Sequence, residues 1–267
     1  MDKKFLIPSG FKDSLNSDTF VEHQYINTII NFFLANGFSL IKTPLIEYSS
    51  NLDSNTLIIK TNAKKEKLSI RNDITPQIIR IASSRLSNSN RPLKLCYYGE
   101  VIRKKGTILR PERQFQQVGA EIIGSESYKA DVEIINLAYN TLKSIGIKNI
   151  VIEISAPFFL DSVLNQIKDK KLITNLKQLI QLKDINSCLK LNKNSEINKI
   201  LKILYSCSGS IKHNKFKISK LSKIIGFESE VKRLIKIANL INVSKNDIIN
   251  IDFFEINKNK NYYKGIK

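Results

Sequence analysis

The residues best placed to do chemistry lie on the stretch "RQFQQVGAEIIG", residues 113 to 124, and on its approach. Its alternation predicts a strand, on which side chains two apart share a face. Arg113, Phe115, Gln117 and Glu121 then point one way, and Gln116, Val118, Ala120 and Ile122 the other. The second set is mostly apolar and suits a covering helix. The first is polar or aromatic, the make-up of a sheet floor that binds a ligand. Arg103 closes the preceding strand and would overhang that floor, offering phosphate or carboxylate a planar, permanently charged fork. Asp73, upstream, is suited to hold a ligand amine. Periodicity alone leaves the plainer alternatives open: Gln117 and Glu121 also fit the solvent face of a half-exposed antiparallel sheet, and Asp73 also fits a helix start.

No other catalytic apparatus is legible. The chain has no Gly-rich phosphate loop, no nucleophile elbow and no paired His and Cys arrangement. His23 and His213 stand alone, and Cys96, Cys188 and Cys207 are far apart, so neither a metal site nor a redox pair is expected.

Elements capable of holding such a floor surround it. Tyr25, Ile26, Ile29, Ile30 and Phe33 recur at helical spacing and predict a helix over 17–36, with Ser17 or Asp18 as cap and Gly37 as stop. "FSLIKTPLIE" reads as strand, with Pro44 at a sheet edge or strand end. A short strand at 68–71 precedes a helix in "NDITPQIIRIASSRL", where Thr75 is the expected cap and Pro76 takes the first helical position. "LKLCYYGEVIR" and "RQFQQVGAEIIG" form an expected antiparallel hairpin around the long basic loop "KKGTILRPE". Val132, Ile135, Ala138, Leu142 and Ile145 predict a further helix ended by Gly146, and "NIVIEIS" a further strand. Strands and helices mix without a βαβ rhythm, so the class is α+β. Three segments are expected: a core over 1–157, a Leu/Ile/Lys-rich helical insertion over 158–245, and a return to the core sheet over 246–267. That last segment stops on strand-like sequence with two tyrosines, which predicts sheet partners downstream.

The chain has 267 residues, 42% of them hydrophobic, enough for a sizeable core, and no apolar run of membrane-spanning length. "MDKKFLIPSGFKD" lacks the apolar middle of a secretory signal, so a cytoplasmic protein is expected. The net charge of +19 suits nucleic acid. Lysine is spread over ordinary helix faces, however, so a nucleic-acid partner is not expected.

Together these stretches resemble the histidyl-tRNA synthetase family of class II synthetase-like proteins. "IPSGFKD" is similar to its Pro-x-Gly-x-x-Asp opening. "GFSLIKTPLIE" is similar to its first, dimer-forming motif, and "SIRNDITPQIIR" to its Leu-Arg-Pro-Glu/Asp-x-Thr segment. The hairpin resembles its second motif, and "YYKGI" its Tyr-Tyr-Thr-Gly segment. The resemblance implies a mainly antiparallel sheet flanked by helices. It also implies a histidine-like pocket built from Asp73, Thr75, Arg103, Gln117, Glu121, Tyr262 and Tyr263, with Arg103 as the arginine that meets ATP in the family.

The activation positions depart from the family. Lys105 stands where an acidic residue follows the motif arginine, and Pro111 where the loop arginine falls, with Arg110 next door. Lys258 and Asn259 stand where the family has Arg-Gly. Losing such a preorganised cation removes on the order of several kcal/mol of transition-state stabilisation. The family's final motif and its anticodon-binding domain fall beyond residue 267. "LRPERQFQQVGAEIIG" is closer to the family's non-aminoacylating paralogue, the regulatory subunit of ATP phosphoribosyltransferase. That resemblance implies a non-catalytic subunit without cofactor. Its expected partner is a short-form catalytic ATP phosphoribosyltransferase subunit, with a homodimer inside a hetero-oligomer and histidine as effector. The competing expectation is a histidyl-tRNA synthetase, or a divergent fragment of one, that activates histidine with ATP.

Overall fold

The computed structural model describes residues 6–49, 55–60, 67–211, 213–214, 217–218 and 227–256. The chain divides into two compact units, Met1–Ala130 with Asn140–Gly146, and Asp131–Tyr139 with Ile147–Lys267.

In the first unit, the hairpin strands β5 (Leu93–Ile102) and β6 (Gln114–Ile123) pair antiparallel in unbroken register, from Leu93 opposite Ile123 to Ile102 opposite Gln114. The short strand β1 (Ser39–Leu40) runs parallel to β5 on its other edge. Pro44 interrupts the run "FSLIKTPLIE", because a residue without an N–H cannot continue a ladder. The chain therefore leaves β1 and re-enters as β2 (Ile46–Tyr48) in a separate antiparallel sheet, ordered β2–β4–β3 with β3 (Leu57–Ile59) and β4 (Leu68–Ile70).

Helix α1 (Asn16–Ala35) buries Ile30 and Phe33 and packs on β5 and β6. It starts one residue earlier than its sequence predicts, which puts Ser17 inside the first turn. No side chain caps it. Gly37 ends it with φ +82°, a left-handed conformation that glycine adopts without a Cβ clash. Helix α2 (Thr75–Ser83) lies against the sheet through a cluster of Ile74, Ile78, Leu95, Tyr97 and Val101, with Phe115 and Ile123 packed beside it. The face carrying Phe115, Gln117 and Glu121 is therefore partly roofed by α2, not an open floor. Helix α3 (Tyr128–Ser144) is capped by the Ser127 hydroxyl and is divided between the two units.

In the second unit, β7 (Val151–Ser155) pairs in parallel with β9 (Ile248–Asp252), and β8 (Gly209–Ser210) pairs antiparallel to β9. The segment expected to rejoin the core sheet thus pairs, among the described residues, with β7 and β8. Backbone pairing across nearly a hundred residues groups β7 with the helical stretch, where composition placed it with 1–157. The helices begin where short polar side chains cap them. Asp169 caps α5 (Lys170–Gln181), Asp184 caps α6 (Ile185–Leu191) and Asn194 caps α7 (Ser195–Cys207). The Ser187 bonds draw the Asp184 carboxyl below the usual carboxylate range. Helices α4 (Pro157–Leu164) and α8 (Glu228–Leu240) belong to the same unit. Phe159 and Phe253 meet edge to face with centroids 5.3 Å apart. Lys183 pairs with the buried Asp252 and donates to the Phe254 carbonyl at 2.9 Å. Burial opposes the Lys183 charge, but Asp252 and Glu255 outweigh it and raise the ammonium above the usual lysine value.

Candidate functional site

The site forms where the start of α2 crosses the middle of β6. Ile74 and Ile78 are fully buried against β5 and pull the loop before α2 down onto the sheet. This brings residues 73 to 75 within reach of Gln117. The Gln117 side-chain amide donates to Asp73 Oδ1 at 2.8 Å, and its carbonyl accepts the Ile74 N–H at 3.0 Å. Asp73 Oδ1 also accepts the Thr75 N–H at 3.1 Å. Thr75 is thus the first helical residue and not its cap, its N–H held by Asp73 from outside the helix, and among the described residues no hydrogen bond engages Asp73 Oδ2.

The Thr75 hydroxyl is free of capping duty and turns to the sheet. It lies 2.7 Å from the Tyr97 hydroxyl and 3.1 Å from Glu121 Oε1, with Tyr97 3.4 Å from that same oxygen. Two hydroxyl protons serve three contacts, so one contact always goes without. The distances favour Tyr97 donating to Thr75 and Thr75 donating to Glu121. Gly119 makes this possible. It sits opposite Tyr97 in the ladder, and a Cβ there would run into the Tyr97 ring and hydroxyl. The ring occupies the space between Gln117 and Glu121 that a side chain at 119 would fill.

A second buried group supports the entry to α2. Arg71, 6% exposed, donates to the Glu100 carbonyl at 2.7 Å and to the Thr43 carbonyl and hydroxyl at 3.0 and 2.9 Å. Burial draws its guanidinium below the usual arginine value, against the pull of Glu47 and Glu100. Gln77, fully buried, bonds the Pro44 carbonyl and Glu47, both at 3.0 Å. Arg71 thus ties β4, β5 and the Pro44 break together beneath the site.

Of the residues singled out from sequence, Asp73, Thr75, Gln117 and Glu121 come together. Arg103 does not bond to this group. Its guanidinium lies 4.8 Å from the centroid of the Phe115 ring, with Arg110 at 4.2 Å from the same centroid. Arg113, expected on the floor, instead anchors the N-terminal segment: it donates to the Ser9 carbonyl at 3.2 Å and stacks on Phe11 at 4.7 Å. Tyr262 and Tyr263, like Lys258 and Asn259, lie outside the described residues. Sequence reasoning missed Tyr97, Gly119 and Arg71. The available signal was Gly119 itself, a glycine inside a strand pattern, which marks a close approach.

The cluster presents two half-buried carboxylates, Asp73 and Glu121, each accepting hydrogen bonds from neutral donors. Such a pair suits a ligand with an ammonium and a second hydrogen-bond donor. Among the described residues no His, Cys, Asp and Glu group is arranged to hold a metal ion. No described helix is long and apolar enough to cross a membrane.

The family model for histidyl-tRNA synthetase matches residues 10–267. The chain belongs to the histidyl-tRNA synthetase family. Relatives of this family member include the ATP phosphoribosyltransferase regulatory subunit of Paramagnetospirillum magneticum, 35% identical over 166 residues, covering 59% of this chain and 44% of the relative. The subunit of the same name from Rhodospirillum rubrum is 33% identical over 191 residues, covering 68% and 50%. The chain spans about half the length of these two relatives. The Thermoanaerobacter pseudethanolicus subunit is 29% identical over 274 residues, covering 97% of this chain and 70% of its own. The fold is that of the ATP phosphoribosyltransferase regulatory subunit/histidyl-tRNA synthetase from Bacillus halodurans C, with a TM-score of 0.83 at 21% identity over 98% of this chain and 71% of that one. It also matches the ATP phosphoribosyl transferase (HisG:HisZ) complex from Thermotoga maritima, with a TM-score of 0.68 at 18% identity over 92% and 86%. The histidyl-tRNA synthetase fold is thereby shown, and with it the expected α+β class with a mainly antiparallel sheet.

Proposed function

We propose that this family member is a regulatory subunit of ATP phosphoribosyltransferase that supports the first step of histidine biosynthesis and does not activate histidine. The observation that carries the reading is a contrast within one hairpin. The α2–β6 cluster of Asp73, Thr75, Gln117 and Glu121 is assembled by direct hydrogen bonds, while the neighbouring loop carries Lys105 and Pro111 at the family's ATP-handling positions. Arg110, beside the expected arginine position, is stacked on Phe115. The names of the curated relatives support the same reading.

In this proposal histidine is the effector. Asp73 and Thr75 receive its ammonium, and Glu121 accepts from its imidazole. It acts by binding one assembly state more tightly than another, since only differential affinity shifts an equilibrium. The partner is the short-form catalytic subunit, in the cytoplasm. A homodimer within that assembly is supported by the apolar side chains that α1 leaves in solvent, Phe20 at 62% and Tyr25 at 47% exposure.

The family model and the retained Arg103 favour one other reading, a synthetase that activates histidine. Histidine-dependent exchange of pyrophosphate into ATP separates the two. A regulatory subunit gives none and co-elutes with the catalytic subunit in gel filtration. Exchange above background without co-elution would establish the synthetase reading.

A further inference from the structure

The basic loop between β5 and β6 ends in a feature that the ligand cluster does not use. Ile108 and Leu109 are 101% and 98% exposed, at the tip of a turn closed in both directions. The Thr107 N–H donates to the Arg110 carbonyl at 2.7 Å, and the Arg110 N–H to the Thr107 carbonyl at 3.2 Å. The central positions of such turns favour proline, glycine, asparagine and aspartate, so the turn itself does not call for two large aliphatic side chains. Among the described residues nothing buries them.

The tip is held on a built stem. The Lys104 N–H donates to the Asn55 carbonyl at 2.8 Å, and the Lys105 N–H to the Asn55 side-chain oxygen at 2.9 Å. Arg110 is stacked on Phe115, and a Cβ at Gly106 would run into the Pro111 carbonyl. A loop pinned in this way has less freedom to lose when it docks.

Resting on the regulatory reading above, we propose that Ile108 and Leu109 form a docking knob for the catalytic phosphoribosyltransferase subunit, entering an apolar pocket rimmed by carboxylates. The charge of the stem sets the rim. Arg103, Lys104, Lys105 and Arg110 flank the tip along the chain against the single acid Glu112 of this loop, and the two lysines and Arg110 are exposed. Two other classes of partner fit less well. Nucleic acid is gripped by cations and by aromatic stacking, and the tip offers no ring. A lipid surface holds one myristoyl chain only marginally, and these two side chains bury less than that.

The test is calorimetric titration of the catalytic subunit with the intact chain, the Ile108→Ser/Leu109→Ser double variant and the Lys104→Glu/Lys105→Glu double variant. Both substituted pairs lie in solvent, and unchanged melting temperatures will confirm that the fold is kept. Both variants are expected to bind about tenfold more weakly or worse, as loss of a central apolar anchor or its charged rim does at interfaces. Affinity equal to that of the unsubstituted chain in the Ile108→Ser/Leu109→Ser variant overturns the knob alone. Absence of binding by the unsubstituted chain overturns the regulatory reading and the knob's partner with it. Loss by that variant of binding to anionic vesicles or to tRNA, with subunit binding intact, reassigns the tip and also overturns the proposal.

Discussion

Tyr97 and Gly119 face each other across the hairpin ladder, and the ring of the tyrosine lies where a Cβ of the glycine would be. The Tyr97 hydroxyl reaches Thr75 and Glu121 because of that vacancy. Gly119→Ala is therefore expected to swing the ring aside and break both contacts, at a cost of about 1–3 kcal/mol for an overpacked site. Tyr97→Phe, which removes only the hydroxyl, should cost about 1 kcal/mol. Urea denaturation of the two variants checks this ordering, and equal stability of Gly119→Ala and the unsubstituted chain would contradict it.

Gln117 holds a carboxylate and a backbone amide at once, so Gln117→Ala leaves both Asp73 and the Ile74 N–H short of a partner. The expected loss is about 1–3 kcal/mol of stability, since a buried N–H without an acceptor is penalised beyond the bond itself. Gln117→Glu should be worse, because it sets a second carboxylate against Asp73. Thermal melts of the two variants decide the order.

Arg71 is nearly enclosed and spans Thr43 and the Glu100 carbonyl with one fork. Lysine carries the charge but not the fork. Arg71→Lys should destabilise by about 2–4 kcal/mol, while leaving Thr43 and Glu100 to compete for one ammonium. A urea midpoint within error of the unsubstituted chain would remove Arg71 from its supporting role.

Cys188 is buried, and burial, aided by the Asp184 charge, pushes its thiol up to about 11. The folded state thus holds this proton more tightly than the unfolded state, whose thiol ionises near the ordinary value of about 8.5. Its contribution to stability is complete below that value and is lost as pH rises toward about 11. Thiol labelling at about pH 8 should be slow in the native chain and fast in urea, and urea midpoints should fall between about pH 8.5 and 10.5. Rapid native labelling of Cys188 would contradict its burial.

Local periodicity made much of this architecture readable. The hairpin and α1 fall within about one residue of their expected bounds and α2 starts one residue before its expected first position, because alternation and helical spacing are strong there. Asp73, Thr75, Gln117 and Glu121 were legible as candidates from alternation and motif order. Alternation shows which face a side chain takes but not what covers that face, so the roof formed by α2 was missed. Tyr97 gives no local signal of its own, since its partner across the ladder is a missing side chain at Gly119. Arg113 has the same parity as Gln117 but is drawn away by the Ser9 carbonyl and Phe11, a contact over a hundred residues distant in sequence. β9 reads correctly as a strand, yet its pairing with β7 is a long-range choice that no local pattern encodes.

On the proposed reading this site binds histidine without activating it. The most direct measurement is calorimetric titration of histidine into the chain with ATP and magnesium present, with pyrophosphate counted in the same samples. Saturable binding is expected, weakened about tenfold or more in Gln117→Ala and Asp73→Ala, with no pyrophosphate above background. Pyrophosphate release, or histidine affinity unchanged in both variants, would contradict it.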